Sequence, residues 1–205
     1  MNLILDYEIG NIASVANMVK KIGEPVKVSN GPHDLVNASK IIIPGVGSFD
    51  HGIKKLKSLG YFSAIQDAAS EGIPILGICL GMQLLCKSSE EGLQIGLGLI
   101  NADCKKMNID NNFPALRIPH VGWNSVNVLK DNILIPLGNE ESRYYFTHSY
   151  HALCHDQSDI IATFSHGSSY VAAFGTKSVF GVQFHPEKSH RFGMALIKNF
   201  LSKKC

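Results

Sequence analysis

Paired cysteines are absent from this sequence. Its five cysteines are irregularly spaced, and no two of them form a Cys-x-x-Cys pair: they are Cys79, Cys86, Cys104, Cys154 and Cys205. The odd number and the spacing therefore indicate neither a disulfide framework nor a zinc site, and we predict no metal and no cofactor. Because reduced thiols are typical of the cytosol, we expect a cytoplasmic protein.

Long apolar runs and strong charge are also lacking. The most apolar stretch, residues 72–86, spans about 15 residues and includes Pro74 and Gln83, whereas a bilayer-spanning helix needs roughly 20 apolar residues. Asp6 interrupts the first apolar run too early for a signal peptide. Charged residues make up 18% of the chain and the formal net charge is +2, which does not indicate a nucleic-acid binder. We expect neither a membrane nor a nucleic acid as a partner.

The chain has the length and the apolar content of one domain. Its 205 residues are 45% hydrophobic, enough for a full core, so we assign residues 1–205 to a single domain. In the first half, continuous apolar runs typical of buried parallel strands alternate with helical spacing. The predicted elements are strands at 2–5, 25–28, 41–43 and 74–78 and helices at 12–22, 62–70 and 80–87. This alternation predicts a doubly wound, mostly parallel α/β sheet.

The second half of the chain has a different pattern. Short strand candidates follow one another, joined by turns, and they predict an antiparallel extension of the sheet. The candidates are residues 121–129, 142–150, 159–164, 170–175 and 179–184. Apolar spacing predicts a final helix at residues 194–201.

Cys79 stands in the pattern Gly-x-Cys-x-Gly, the thiol version of the nucleophile elbow. A nucleophile on a sharp strand-to-helix turn projects from the sheet, so its neighbours two residues away must be small, as Gly77 and Gly81 are. Unpaired N–H groups at the start of the next helix favour the thiolate, and that of Leu80 can enter an oxyanion hole. A buried structural cysteine between two packing glycines explains the same residues equally well, so the pattern alone does not decide.

His185 ends an apolar strand, and Pro186 prevents that strand from continuing. Glu187 follows two residues after the histidine, on the same side of an extended backbone, where its carboxylate can orient the imidazole. An exposed His-Pro-Glu turn is the alternative. A thiolate that cleaves an amide needs an acid to protonate the leaving amine, and Cys79 with His185 meets that need. We therefore predict Cys79, His185 and Glu187 as a catalytic set.

A second glycine-rich turn follows the strand at 41–43. It contains Pro44, Gly45, Val46 and Gly47. Because glycines let backbone N–H groups face a ligand, we assign the amides of this loop to the oxyanion of an acyl intermediate. A phosphate-binding loop is the alternative, but neither of the glycine patterns typical of nucleotide sites is present.

Three motifs in this order resemble the class I, triad-type glutamine amidotransferases. They are Pro44-Gly45-Val46-Gly47, Gly77-Ile78-Cys79-Leu80-Gly81-Met82-Gln83 and His185-Pro186-Glu187. The resemblance implies a flavodoxin-like sheet flanked by helices, and hydrolysis of glutamine to glutamate and ammonia through a thioester on Cys79. By position it places Gly47, Leu80 and Gln83 against glutamine or its oxyanion. It also implies that His148, Ser149 and Tyr150 hold the amino-acid end of glutamine, largely through backbone groups.

Finer motifs are similar to one branch of that family, the HisH glutaminase subunits of imidazole glycerol phosphate synthase. They are Asp6-Tyr7-x-x-Gly10-Asn11, Pro119-His120-x-Gly122-Trp123-Asn124, Tyr145-Phe146-x-His148-Ser149-Tyr150 and residues 183–189. In that branch the glutaminase forms a heterodimer with a (β/α)₈ cyclase, HisF. Ammonia passes through the barrel to the site that makes imidazole glycerol phosphate and AICAR in histidine biosynthesis. The resemblance implies the same partner for this chain.

The resemblance also implies a partner-facing surface. It assigns Asn11, Pro119, Trp123 and Lys188 to that surface, although a lone tryptophan is also typical of a core. Residues 190–193 resemble a HisH-like group that supplies ammonia to sugar amidotransferases in surface-polysaccharide synthesis, so a second acceptor stays open.

Three positions depart from the motifs of the HisH branch. Glu8 stands where glycine is common, Asn101 where proline is common and Val121 where methionine is common. None of the three belongs to the predicted catalytic set.

Two hypotheses from other classes compete with the glutaminase. A cysteine peptidase or isomerase on the same elbow fold would need neither glutamine nor Glu187. A non-catalytic binding module that kept the fold would not need the complete catalytic set.

Overall fold

The computed structural model describes residues 1–109, 113, 115–138 and 142–202. Its strands are β1 (Asn2–Ile4), β2 (Val26–Val28), β3 (Lys40–Gly45), β4 (Ile75–Cys79), β5 (Ser88–Ser89), β6 (Ala102–Lys106), β7 (His120–Ser125), β8 (Asn127–Val128), β9 (Arg143–His148), β10 (Tyr150–Cys154), β11 (Ile160–His166), β12 (Ser168–Gly175) and β13 (Val179–Val182). Its α-helices are α1 (Ile12–Ile22), α2 (Phe49–Ser58), α3 (Tyr61–Ser70), α4 (Leu80–Leu84) and α5 (His190–Ser202). Short 3-10 helices cover Pro32–Asn37, Gln157–Asp159 and Pro186–Lys188.

One eight-stranded sheet forms the centre of the molecule, in the order β2-β1-β3-β4-β13-β12-β11-β8. The first five strands in this order run parallel to their neighbours. Strands β12, β11 and β8 continue the sheet in antiparallel pairing. The parallel part has the flavodoxin-like order, with the second strand at the edge and the first beside the third. The predicted parallel sheet with an antiparallel extension is therefore confirmed.

Helices cover both faces of this sheet, which explains its continuous apolar strands. Along β3, Ile41 and Ile43 pack into the core under α2 and α3, whereas Ile42 packs into the opposite core under α1 and α5. All three isoleucines are fully buried, and each contributes roughly 1.5–3 kcal/mol by leaving water. The strands that carry the site are thus held from two sides.

The helix bounds agree with the sequence where local signals are strong. Helix α1 covers the predicted residues and ends at Gly23, whose φ of 86° is the left-handed conformation of a helix C-terminus. Helix α5 begins at His190, four residues before the predicted start. Helix α4 ends at Leu84 instead of residue 87, because the N–H of Lys87 bonds to the carbonyl of Ala102 and pulls the chain toward β6.

Several features of the fold were not predicted. Strands β5 and β6 are additional, and the predicted strand at 121–129 is divided at Val126 into β7 and β8. Helix α2 was missed, although Phe49, Ile53 and Leu56 bury one face at helical spacing. The predicted strand at 142–150 is wrong as a single strand, since it breaks at Ser149 into β9, which pairs with β7, and β10, which pairs with β6. These pairings form two small sheets beside the main one.

Three cysteines other than Cys79 also lie in the core. They are Cys86, Cys104 and Cys154, which are buried, whereas Cys205 lies outside the described residues. Across the described residues, every helix is too short or too polar to cross a bilayer.

Candidate active site

Three loops meet around Cys79 because three adjacent parallel strands end at the same edge of the sheet. In the central strand β4, Cys79 pairs with Gly45 at the end of β3, and Ile78 pairs with Val182 at the end of β13. The glycine-rich loop and the segment that carries His185 therefore start on either side of the thiol. Open α/β sheets usually place their sites at this edge.

Cys79 occupies a strained backbone position. Its φ of 54° and ψ of −108° are unusual for any residue other than glycine. A Cβ at Gly77 would lie 2.5 Å from the carbonyl oxygen of Gly81, and one at Gly81 would lie 1.9 Å from the carbonyl oxygen of Ile43. Both glycines are therefore steric requirements of the bend. Strained backbone of this kind is concentrated at functional sites. A purely structural role for Cys79 would not explain why the chain keeps this strain.

His185 and Glu187 form a buried pair. The imidazole Nδ1 lies 2.8 Å from Oε1 of Glu187, and the two side chains are 1% and 3% exposed. Because Nδ1 faces a carboxylate, it carries a proton. The turn is fixed by Ser189, whose hydroxyl donates to the carbonyl of His185 and accepts from the N–H of Tyr145. The two predicted residues are thus brought together as the spacing implied.

The second imidazole nitrogen of His185 faces the thiol. Within the described residues, Nε2 is buried and makes no hydrogen bond of regular geometry. Burial disfavours the charged ring, but interactions with Cys79 and Glu187 outweigh it and raise the pKa of His185 to about 10. Since Nδ1 is occupied by Glu187, the interaction with Cys79 falls on Nε2. The ring is therefore protonated at neutral pH and placed to give a proton beside the sulfur.

The glycine-rich loop has a fixed base and an open end. Tyr7, which is fully buried, donates a 2.7 Å hydrogen bond to the carbonyl of Pro44. A Cβ at Gly45 would lie 2.6 Å from the Tyr7 hydroxyl and 2.8 Å from the N–H of Gly81, so the base is tightly packed. Farther along, Val46 is 50% exposed, and a Cβ at Gly47 would meet no described residue within 4 Å. Burial, and then the nearby Cys79, raises the pKa of Tyr7.

A cavity of about 230 Å³ lies against the thiol. It is lined by Val46, Gly47, Cys79, Leu80, Gln83, Glu91, Pro119, Thr147, His148, Ser149 and Tyr150. The predicted substrate residues therefore surround one cavity, with Gly45 in the packed base of the loop. Pro119, which the resemblance assigned to the partner surface, lies in the cavity wall.

Glu91 was not selected from the sequence, although it lines the cavity. One of its carboxylate oxygens accepts a 2.7 Å hydrogen bond from the N–H of Phe49, at the start of α2. A carboxylate at the first turn of a helix is favourably placed. The only sequence signal was an acidic pair at residues 90–91, which is also typical of a solvated loop.

The turn between β9 and β10 is held by two donors to one carbonyl. The carbonyl of Tyr150 accepts from Nε2 of Gln83 at 3.0 Å and from Nδ1 of His148 at 2.8 Å. Burial lowers the pKa of His148 to about 3, so the ring is neutral and its proton lies on Nδ1. Gln83 and the turn thereby form one rigid wall of the cavity.

Trp123 is a surface residue. It is 40% exposed, stacks on His190 with ring centroids 5.5 Å apart and meets Tyr145 edge-on at 6.3 Å. The ammonium of Lys188 lies 5.5 Å from the centre of the Tyr145 ring. We call these four residues the Trp123 surface. Asn11 lies apart from it in the sequence, after β1 and directly before α1.

Among the residues that the structure describes, no three His, Cys, Asp or Glu side chains are arranged to hold a metal ion. The groups around the cavity that can take part in chemistry are a thiol, an imidazole, carboxylates and backbone amides.

Comparison with known proteins defines the class. Residues 3–204 match the family described as glutamine amidotransferase class-I, and the chain belongs to that family. It is 45% identical to imidazole glycerol phosphate synthase subunit HisH 2 of Methanococcus maripaludis, over 99% of this chain and 100% of the relative. It is 44% identical to subunit HisH of Leptospira borgpetersenii, over 97% and 98%. A solved glutamine amidotransferase shares the fold, with a TM-score of 0.76 at 19% identity over 98% of this chain and 97% of that one.

Proposed function

We propose that this chain is the glutaminase subunit of an imidazole glycerol phosphate synthase that acts in the cytoplasm. The observation that carries the proposal is the buried pair of His185 and Glu187 beside a strained thiol at the wall of a small cavity. The family match and the relatives named HisH support it. The cavity is smaller than sites for drug-sized ligands, roughly 300–1,000 Å³, and suits a single amino acid.

The first half of the reaction forms a thioester. The Cys79 sulfur attacks the side-chain carbonyl carbon of glutamine, and the carbonyl oxygen becomes an oxyanion. The N–H of Leu80 can bind that oxyanion, since the first N–H groups of a helix have no acceptor within it. Amides of the loop at Val46 and Gly47 provide the second donor, and one such donor is worth roughly 3–4 kcal/mol. The carbon–nitrogen bond then breaks, and His185 gives its Nε2 proton to the leaving ammonia.

The second half releases glutamate. The now neutral His185 takes a proton from water, and the resulting hydroxide attacks the thioester carbon. The carbon–sulfur bond breaks, and the thiolate returns beside the protonated imidazole. Glu187 keeps the ring in one tautomer throughout and stabilises its charged form.

Charged and polar groups around the cavity fit the amino-acid end of glutamine. Glu91 supplies a carboxylate for the α-ammonium group, because only one of its oxygens is bound to the start of α2 in the hydrogen bond described above. Backbone groups of His148, Ser149 and Tyr150 supply partners for the α-carboxylate. The side-chain carbonyl then points toward Cys79 and the glycine-rich loop.

The partner in this proposal is a HisF-type (β/α)₈ cyclase that receives the ammonia and makes imidazole glycerol phosphate and AICAR. Trp123 and Lys188 offer an exposed aromatic and cationic surface, and tryptophan is enriched at binding hot spots. Asn11 lies after β1, whose end faces the same sheet edge as Cys79.

The test measures glutamate release with and without the barrel cyclase encoded in the same genome. We expect slow turnover alone and strong activation when the cyclase and its nucleotide substrate are present. Cys79→Ala in the complex is the control and should release no glutamate. Full turnover without any partner would contradict the proposal, and failure of a glutamine-analogue chloroketone to label Cys79 would favour a peptidase or isomerase.

A second acceptor is favoured by one observation. Residues 190–193 resemble the group that serves sugar amidotransferases, and His190 from this segment stacks directly on Trp123. His190 of this segment therefore belongs to the Trp123 surface. Purification of the tagged chain from its native cell distinguishes the two, since co-purification of a sugar amidotransferase without a barrel cyclase would favour this alternative.

A further inference from the structure

Gln183 is a fully buried amide beside the proposed nucleophile. It directly follows β13, and its backbone N–H bonds to the carbonyl of Ala172 in β12. It precedes His185 by two residues, and the chain bends at Gln183 and Phe184 between the end of β13 and His185. Neither the predicted catalytic set nor the proposed mechanism uses this amide.

The orientation of the Gln183 amide is fixed by its neighbours. Its Oε1 accepts a 3.2 Å hydrogen bond from Nε2 of Gln83, which identifies the oxygen end. Its Nε2 therefore points the other way, and it lies 3.8 Å from the sulfur of Cys79. Unlike an imidazolium, an amide cannot lose its proton to the thiolate. Gln183 is thus a donor that can stabilise the charged sulfur without neutralising it.

Gln83 connects this contact to the cavity wall. Its single NH₂ group donates both to Oε1 of Gln183 and to the carbonyl of Tyr150. A continuous row of hydrogen bonds therefore runs from the turn between β9 and β10, through two amides, to the sulfur of Cys79. The sulfur is held by this row and faces His185 as a second partner.

We propose that Gln183 is a positioning residue that holds the Cys79 thiolate through its side-chain N–H, with Gln83 fixing its orientation. The role in turnover rests on the proposed glutaminase function. Loss of one donor to a charged sulfur makes the thiolate harder to form. Without this donor the sulfur is also less well oriented toward the carbonyl carbon of the substrate, although the cavity keeps its shape.

The experiment replaces the donor and follows the thiol directly. In Gln183→Met, which has similar volume and no donor, the pH midpoint of iodoacetamide labelling at Cys79, measured on its peptide by mass spectrometry, should move up by about one pH unit. In the complex with the cyclase, kcat should fall about tenfold with KM within about twofold. Gln66→Leu is the control, because it removes an exposed amide that bonds to the carbonyl of Leu97 and does not belong to the row of hydrogen bonds that reaches the thiol.

Gln183→Glu keeps the shape and the acceptor for Gln83 while it removes the donor, and it guards against misfolding of the methionine variant. It should move the labelling midpoint in the same direction. A folded Gln183→Met or Gln183→Glu protein with the midpoint of the unmodified chain would overturn the inference. The labelling experiment requires no glutamine. If the unmodified chain had no glutaminase activity, the proposed function would be refuted, but the labelling midpoint would still test the role of Gln183.

Discussion

At the scale of single residues, the surroundings of the four described cysteines distinguish Cys79, the proposed nucleophile, from Cys86, Cys104 and Cys154. Hydrogen bonding with Cys104, together with burial, raises the pKa of Cys86. Burial raises the pKa of Cys154 to about 12. These thiols stay protonated and unreactive near neutral pH. Cys79 alone among them lies on a strained turn beside a charged imidazole, which is the environment a nucleophile needs.

Tyr7 gives a prediction at the same scale. Tyr7→Phe removes the hydrogen bond to the carbonyl of Pro44 and frees the base of the glycine-rich loop. We expect kcat in the complex to fall roughly tenfold, and the free energy of unfolding to fall by about 1–3 kcal/mol because a buried carbonyl loses its donor. Steady-state glutamate release and urea unfolding measure the two effects.

Tyr61→Phe is the matched control for this prediction. It also removes a tyrosine hydroxyl from a buried side chain, but the partner of that hydroxyl is the Ser29 hydroxyl, 2.6 Å away, and not the glycine-rich loop. Equal kinetic effects of the two variants would mean that Tyr7 stabilises the fold and does not position the loop.

At the scale of secondary-structure elements, the sequence predicted what local spacing determines. Helix α1 and the elbow at Cys79 follow from residues close together in the chain. The break at Ser149 does not, because β9 and β10 separate only when they pair with different distant strands. Glu91 and Gln183 were missed for the same reason. A carboxylate in a polar loop and a glutamine at a strand end acquire their roles from neighbours that the fold brings to them.

Strands β7, β9 and β11 carry a cluster of rings that gives a pH-dependent prediction. The centroid of the His120 ring lies 5.4 Å from that of Phe164, 4.1 Å from that of His166 and 5.8 Å from that of His148. Burial, with the neighbouring His166, lowers the pKa of His120 to about 4, and that of His148 is about 3. Below the unfolded value of about 6.5 the unfolded chain binds protons that the folded chain does not. Stability should therefore fall from pH 6.5 toward pH 4, by about 1.4 kcal/mol per pH unit for each histidine.

The measurement is the free energy of unfolding in urea at a series of pH values from about 4.5 to about 7. His120→Phe keeps a ring between the same neighbours. It should reduce the slope of the free energy of unfolding against pH by about 1.4 kcal/mol per pH unit, which corresponds to one proton. Replacement of the exposed His33 by Gln is the control, because it also removes one histidine but takes none from the buried cluster. A slope that is unchanged in His120→Phe would contradict the prediction.

At the scale of the whole molecule, strand β9 connects the proposed partner surface with the site. Tyr145 presents its ring to Trp123, while its carbonyl accepts a 2.8 Å hydrogen bond from the N–H of His185. The side chain of Lys188, which directly follows Glu187, lies over the same ring. A partner bound at the Trp123 surface would therefore contact Tyr145, whose backbone is hydrogen-bonded to His185, the proposed general acid.

Trp123→Ala tests that arrangement in the whole molecule. Because Trp123 is 40% exposed, its removal should change stability little, whereas a hot-spot tryptophan should weaken binding of the barrel cyclase by about 2 kcal/mol, or roughly 30-fold. Titration calorimetry with the cyclase measures the affinity. Leu129→Ala removes another exposed apolar side chain, 51% exposed and next to β8 at the far edge of the sheet. Equal losses in the two variants, or none in Trp123→Ala, would place the partner elsewhere, whereas a loss confined to Trp123→Ala locates the partner beside His185.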